Sequence, residues 1–98
     1  MQSTVTWRGK MAFDGRDEEG HLISLDAPEK VGGEGNGQRP KQLILEALAG
    51  CTAMDVISIL RKMKCLPASF RVEVSADETD EHPKVFTAFH LRYIVSGE

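Results

Sequence analysis

The stretch that decides the fold is Pro40-Lys41-Gln42-Leu43-Ile44-Leu45-Glu46-Ala47-Leu48-Ala49-Gly50-Cys51-Thr52-Ala53-Met54-Asp55-Val56-Ile57-Ser58-Ile59-Leu60. Apolar residues recur in it at helical spacing, and proline suits the first turn of a helix. We therefore predict an α-helix over residues 40–63. The opposite side of this helix is also apolar, so we expect a long central helix that is buried under other elements on several sides.

Short β-strands are predicted before the helix, over residues 3–8, 11–14 and 21–25, where β-branched and aromatic residues cluster. Turn-forming residues separate these runs, notably the acidic stretch 14–20, so the three strands should form an antiparallel meander. The segment 27–39 holds four glycines and a proline, and we predict a loop there.

After the helix, residues 69–76 alternate between apolar and polar side chains, which is the period of a half-exposed strand. Residues 85–95 are rich in β-branched and aromatic residues, and the polar run 77–83 connects the two as a hairpin. The predicted fold class is therefore α+β, with an antiparallel sheet packed on the central helix. We expect one domain over residues 1–98.

Length and composition exclude several classes of protein. The 98 residues are 41% hydrophobic and 28% charged, which is ordinary for one small globular domain. The net charge of −3 and the absence of a concentrated basic face argue against nucleic-acid binding. No secretory pattern begins the chain, so we expect a cytoplasmic protein. Glu46 and Asp55 lie within the apolar helix, where we expect Glu46 to be buried, and both argue against a membrane span.

Cys51 is the first candidate for chemistry, because it follows Gly50 in the middle of the long apolar helix. Glycine inside a helix costs about 1 kcal/mol relative to alanine and usually marks a close approach. Against this, a free cysteine is often a small buried packing residue. Asp55 lies four residues further on the same helix face, and its negative charge would disfavour a thiolate. Both interpretations of Cys51 remain open from the residues alone.

The remaining candidates for a redox, cofactor or metal site are weak. Cys65 would lie ~20 Å from Cys51 along an intact helix, so the two cannot form an intrachain disulfide. The glycines of residues 32–37 match no phosphate-binding loop. The three histidines, His21, His82 and His90, have neither metal-ligand spacing nor an evident acidic partner. We predict reduced thiols, no cofactor and no metal ion.

The stretch over residues 40–60 closely resembles the OsmC-like proteins, in particular their YhfA-type branch. The similarity continues through Thr6-Trp7, residues 21–26 and residues 86–97, so it covers nearly the whole chain. The resemblance implies an OsmC-like fold. It also implies an intertwined homodimer, in which N-terminal strands and central helices of two subunits share one core and the sites lie at the interface.

Catalytic members of this family reduce organic hydroperoxides with a cysteine of the central helix, and a dithiol reductant then restores the thiol. Cys51 falls on that position. The resemblance thus implies a thiol peroxidase of oxidative-stress defence, in which Gln42 or Glu46 orients the peroxide at Cys51. The alternative is a non-catalytic dimeric binding module with a small apolar ligand site, in which Cys51 is a packing residue.

The sequence departs from the family pattern at three points. The helix of catalytic members begins Pro-x-Glu, whereas Gln42 stands at that position here and Glu46 lies one turn further on. The strand arginine that polarises the thiol has no match, because Arg39 only precedes Pro40. The second, resolving cysteine of full-length relatives lies in a C-terminal helix, and we expect that C-terminal region to be absent from this sequence.

Overall fold

The computed structural model of the chain describes residues 1–79 and 86–97 and confirms the α+β class. Its elements are, in order, β1 (Ser3–Gly9), β2 (Ala12–Asp17), β3 (Leu22–Leu25), a 3₁₀ turn (Glu29–Val31), α1 (Pro40–Lys62), β4 (Ser69–Glu78) and β5 (Phe86–Ser96). The strands form two antiparallel sheets, one of β1, β2 and β3 and one of β4 and β5. Two compact units result, Met1–Leu43 and Ile44–Glu98, and the prediction of a single domain stays a prediction.

The three-stranded sheet of the first unit corrects the predicted position of one turn. β2 continues to Asp17, through the residues expected to reverse the chain, and only residues 18 and 19 form the turn itself. Gly15 pairs with both Val5 and Ile23, and Asp17 pairs with Ser3. Pairing with a strand on each side outweighs the weak strand propensity of glycine and aspartate.

The loop after β3 is held by the carboxylate of Asp26, whose residue is only 4% exposed. Its Oδ1 accepts a hydrogen bond from the Ala27 amide at 2.7 Å. Its Oδ2 accepts from the amides of Asn36 at 3.2 Å and Glu34 at 3.4 Å. These bonds hold the pKa of Asp26 below its ordinary value of 3.8, the Ala27 amide contributing most. One side chain thereby joins the beginning of the glycine-rich loop to its far end.

Glycine is required at two positions of this loop because the backbone there lies directly against another stretch of the backbone. A Cβ on Gly33 would lie 1.9 Å from the carbonyl oxygen of Ala27, and one on Gly37 would lie 2.7 Å from that of Ser24. Directly after the close approach at Gly37, Gln38 forms an isolated parallel β-bridge with Leu25. The predicted loop is confirmed, and it is a closely packed one.

Helix α1 begins at Pro40 as predicted and ends one residue earlier than predicted, at Lys62. At its end the amides of Lys64 and Cys65 donate to the carbonyls of Arg61 and Leu60 at 3.0 and 2.9 Å. Lys64 takes a left-handed backbone conformation with φ of 58°. This is the Schellman arrangement, which satisfies carbonyls that the helix leaves free.

Within the single chain, α1 is not buried on several sides as expected. Only Leu45 and Ala49 are buried, whereas Ile44, Met54 and Ile59 are at least half exposed. By length and composition alone, α1 could also span a membrane. The helix therefore presents a long apolar surface that the described part of its own chain leaves open.

The second unit also contains the predicted hairpin of β4 and β5. The alternation is confirmed, with Phe70, Val72, Val74 and Ala76 half-buried on one face. Phe70 pairs with Val95, and its ring stacks on that of Tyr93 with a centroid distance of 6.3 Å. Most of the predicted connection lies outside the described residues, as does His82.

Replacing Gly33 by alanine should destabilise the first unit strongly. The new methyl group would meet the backbone of Ala27 at 1.9 Å, so the loop has to move. We expect a loss of at least about 2 kcal/mol in the free energy of unfolding by urea. Gly15→Ala is the control, because its Cβ would make an ordinary 3.8 Å contact. Equal effects of both substitutions would contradict this packing of the loop.

The stabilising effect of Asp26 should depend on pH. The pKa of Asp26 is lower in the folded chain than in the unfolded chain, so its ionised carboxylate stabilises the folded chain. This contribution to stability is complete above the unfolded pKa of about 4 and is lost as the pH falls through the folded pKa. We therefore expect Asp26→Asn to be less stable than the wild type at pH 7. The difference between the two urea midpoints should shrink towards pH 3. A difference independent of pH would show that the carboxylate charge is not involved.

Candidate functional site

The candidate site is centred on Cys51, which lies near the middle of α1 in the second unit. Its residue is exposed in the chain, as is Cys65, and both thiols are free. Burial of Cys51 as a packing residue inside its own subunit is therefore wrong. The two cysteines form no disulfide with each other.

A shallow apolar groove of about 320 Å³ lies on the second half of α1. It is lined by Ala53, Met54, Ile57, Ser58 and Arg61, all from this helix. Met54 and Ser58 follow Cys51 by three and seven residues along one side of the helix, whereas Arg61, ten residues on, lies about 80° around it. Cys51 is not itself among the residues that line the groove.

Gly50 leaves α1 open on the side that carries the groove. A Cβ built on this residue would meet nothing within 4 Å, so the close approach expected at Gly50 is not made by the described part of this chain. Met54 and Ile57 lie four and seven residues further on, in line with Gly50 on the helix. Gly50 therefore lies on the groove side of α1, about 100° around the helix from Cys51.

The two residues expected to orient a peroxide are exposed, which corrects the expectation that Glu46 is buried in the apolar stretch. Glu46 lies five residues before Cys51, about 140° around a helix of 3.6 residues per turn. Gln42 lies nine residues before it, about half a turn away by the same period. Helical geometry alone therefore does not bring either side chain to the thiol of its own chain.

Two histidine–aspartate pairs were missed at the sequence level. Nδ1 of His21 lies 2.9 Å from Oδ2 of Asp17, and Nε2 of His90 lies 2.9 Å from Oδ2 of Asp77. Hydrogen bonds from the backbone and side chain of His21 lower the pKa of Asp17. Asp17 precedes His21 by four residues, a spacing that could have suggested the first pair. The second pair depends on the strand register.

Neither pair forms a metal site. Within residues 1–79 and 86–97, no group of three or more His, Cys, Asp or Glu side chains could hold a metal ion. Both pairs are exposed at the surface, where water screens such contacts and they contribute little to stability. Cys51 and its groove therefore remain the candidate functional site among the described residues.

Comparison with known proteins defines the family. The family model described as OsmC-like protein matches residues 33–98, which include all of α1 and the hairpin. Protein YhfA of Escherichia coli strain K12 is 34% identical over 98 residues, covering 99% of this chain and 69% of that protein. Protein YhfA of Shigella flexneri is similar to the same extent. The chain belongs to the OsmC-like family, which includes peroxiredoxin-type stress proteins.

A solved structure supports the same assignment of fold. The chain is similar to a protein of Psychrobacter arcticus 273-4 that is provisionally described as an osmotic stress induced and detoxification response protein. The TM-score is 0.84 at 25% identity, and the match covers 100% of this chain and 72% of that one. The OsmC-like fold expected from the sequence is therefore confirmed.

Proposed function

We propose that this protein is a thiol-dependent peroxidase that reduces organic hydroperoxides in oxidative-stress defence. The observation that carries the proposal is the exposed thiol of Cys51, halfway along the same apolar helix that carries the apolar groove. Membership of a family that includes peroxiredoxin-type stress proteins supports the same class of reaction. The groove would hold the organic part of the substrate, and the exposed sulfur is free to meet its peroxide bond.

The reaction consumes one hydroperoxide and one dithiol. The Cys51 thiolate attacks the terminal peroxide oxygen, the O–O bond breaks, and the leaving alkoxide takes a proton to become an alcohol. Cys51 is then a sulfenic acid. One thiol of the reductant condenses with it, releasing water and forming a mixed disulfide. The second thiol attacks this disulfide, so that the reductant leaves oxidised and the Cys51 thiol is restored.

A homodimer is part of the proposal, because each chain exposes a large apolar surface. Besides Ile44, Met54 and Ile59 on α1, the exposed side chains include Val5, Trp7 and Ile23 of the three-stranded sheet. Exposed apolar side chains grouped on one element, as on α1 and on the sheet separately, mark interaction sites in soluble proteins. Glu46 and Asp55 favour a soluble, cytoplasmic dimer over a membrane span for α1. In the dimer, Gln42 or Glu46 of one subunit would reach Cys51 of the other.

A non-catalytic binding module is the second candidate, and Asp55 is the observation that favours it. This exposed carboxylate lies one turn from Cys51 on the same side of the helix, where it opposes formation of the thiolate. Such a module would keep the dimer and the apolar groove but would not turn over hydroperoxides. Native thiol reactivity separates the two, because an activated cysteine is alkylated at a lower pH than an ordinary free thiol is.

Hydroperoxide consumption with excess dithiol should depend on Cys51. We expect the wild type to turn over cumene hydroperoxide and Cys51→Ser to lose the activity by at least about 10³-fold, because serine is a far weaker nucleophile at neutral pH. Cys65→Ser is the matched control and should stay within about twofold, since that thiol lies beyond the helix end. No turnover by the wild type, with or without further native residues, would leave the binding module.

The oligomeric state tests the second part of the proposal. Sedimentation equilibrium should give twice the 10.8 kDa mass of one chain at micromolar concentration. The midpoint of thermal unfolding should rise with protein concentration, because association stabilises the folded chain by mass action. A mass of one chain, together with a midpoint that is independent of concentration, would contradict the dimer.

A further inference from the structure

Three exposed side chains that can bind or attract a cation lie on one side of α1, and the proposed reaction uses only one of them. Cys51, Met54 and Asp55 are all exposed, Met54 to 75%. Met54 and Asp55 follow Cys51 by three and four residues, a spacing that places their Cβ atoms about 5–6 Å from that of Cys51. A thiol, a thioether and a carboxylate therefore share one patch of the helix surface.

This patch is negatively charged and lacks a counter-ion. Among the residues that the structure describes, Asp55 forms no ion pair. Its neighbours one turn away on the helix are Cys51, Thr52, Ser58 and Ile59, and none of them is cationic. A thiolate at Cys51 would add a second negative charge beside Asp55. The patch therefore favours a thiolate that is bound to a cation over a thiolate that is free.

The two sulfur atoms determine which cation fits. Thiolate and thioether are soft ligands, and such ligands select Cu(I) over hard cations such as Mg²⁺. The unbranched, flexible side chain of Met54 lets its sulfur adjust to an ion at the Cys51 sulfur. Structural Zn²⁺ sites take a fuller set of ligands, and no cluster of three or more His, Cys, Asp or Glu that could hold a metal exists within residues 1–79 and 86–97.

We propose that Cys51 and Met54 bind one Cu(I) ion on α1, with Asp55 stabilising its positive charge. On binding, the Cys51 thiol releases its proton and its sulfur bonds to the ion, while the Met54 thioether donates a lone pair. The oxidation state of copper does not change. This site goes beyond the peroxidase reaction and would form equally in a non-catalytic binding module, because neither ligand needs to turn over.

Cys65 provides a comparison within the same chain. Its thiol is also exposed and free, and Met63 lies two residues before it. Its surroundings are cationic, because Lys62 and Lys64 lie beside it in the sequence, and its thiol donates a hydrogen bond to the carbonyl oxygen of Met63 at 3.3 Å. The charge near Cys65 therefore opposes binding of the ion that the charge near Cys51 favours.

Anaerobic titration with Cu(I) in competition with a colourimetric chelator tests the site. We expect one Cu(I) per chain. Met54→Leu keeps the approximate volume of the side chain but removes its sulfur, and should lower the affinity at least about tenfold, since loss of even an outer-shell partner costs about 10–100-fold. Met63→Leu is the matched control and should stay within about twofold. Equal affinities of the wild type and Met54→Leu would overturn the proposal.

X-ray absorption at the copper edge identifies the ligands directly. We expect two sulfur ligands in the wild type and in Cys65→Ser, and the loss of one of them in Met54→Leu. Cys51→Ser should lose the tight site altogether, and Asp55→Asn should weaken it without changing the number of sulfur ligands. Copper held by a single sulfur, or by Cys65, would overturn the proposal. No hydroperoxide is used, so a failure here leaves the proposed peroxidase function standing.

Discussion

A helix of 23 residues with apolar side chains on nearly every side has to be shielded from water, and the rest of the molecule depends on how this is done. Burying one large aliphatic side chain is worth about 1.5–3 kcal/mol. In the single chain only Leu45 and Ala49 are buried on α1, so much of this stabilisation is not realised. A small domain has little stability to spare, and the proposed association of two chains would supply burial that the single chain lacks.

The first unit is organised by a different kind of interaction. Its glycine-rich loop has no apolar core of its own. The loop is held instead by the Asp26 carboxylate, which accepts hydrogen bonds from three backbone amides. Buried backbone groups have to be hydrogen-bonded, and a single carboxylate can satisfy several of them at once. The close approaches at Gly33 and Gly37 then determine the path of the chain towards α1.

Burial and function are connected at Cys51. The thiol lies on a helix surface that is open in one chain, while Gln42 and Glu46 point away from it around the helix. A site completed by a second subunit would therefore couple the peroxidase reaction to association. The groove on the second half of α1 is lined by apolar side chains, Ser58 and one cation, Arg61.

Local pattern determined α1 almost to the residue, because helical periodicity, Pro40 and the basic last turn all act within a few positions along the chain. The alternation of apolar and polar residues along β4 is an equally local sequence pattern. The family motif singled out Cys51. The tertiary structure alone decided the extent of β2, the role of Asp26 and the pairing of His90 with Asp77. These features depend on partners that lie up to 14 positions away in the chain, across strands and loops, where sequence spacing specifies no geometry.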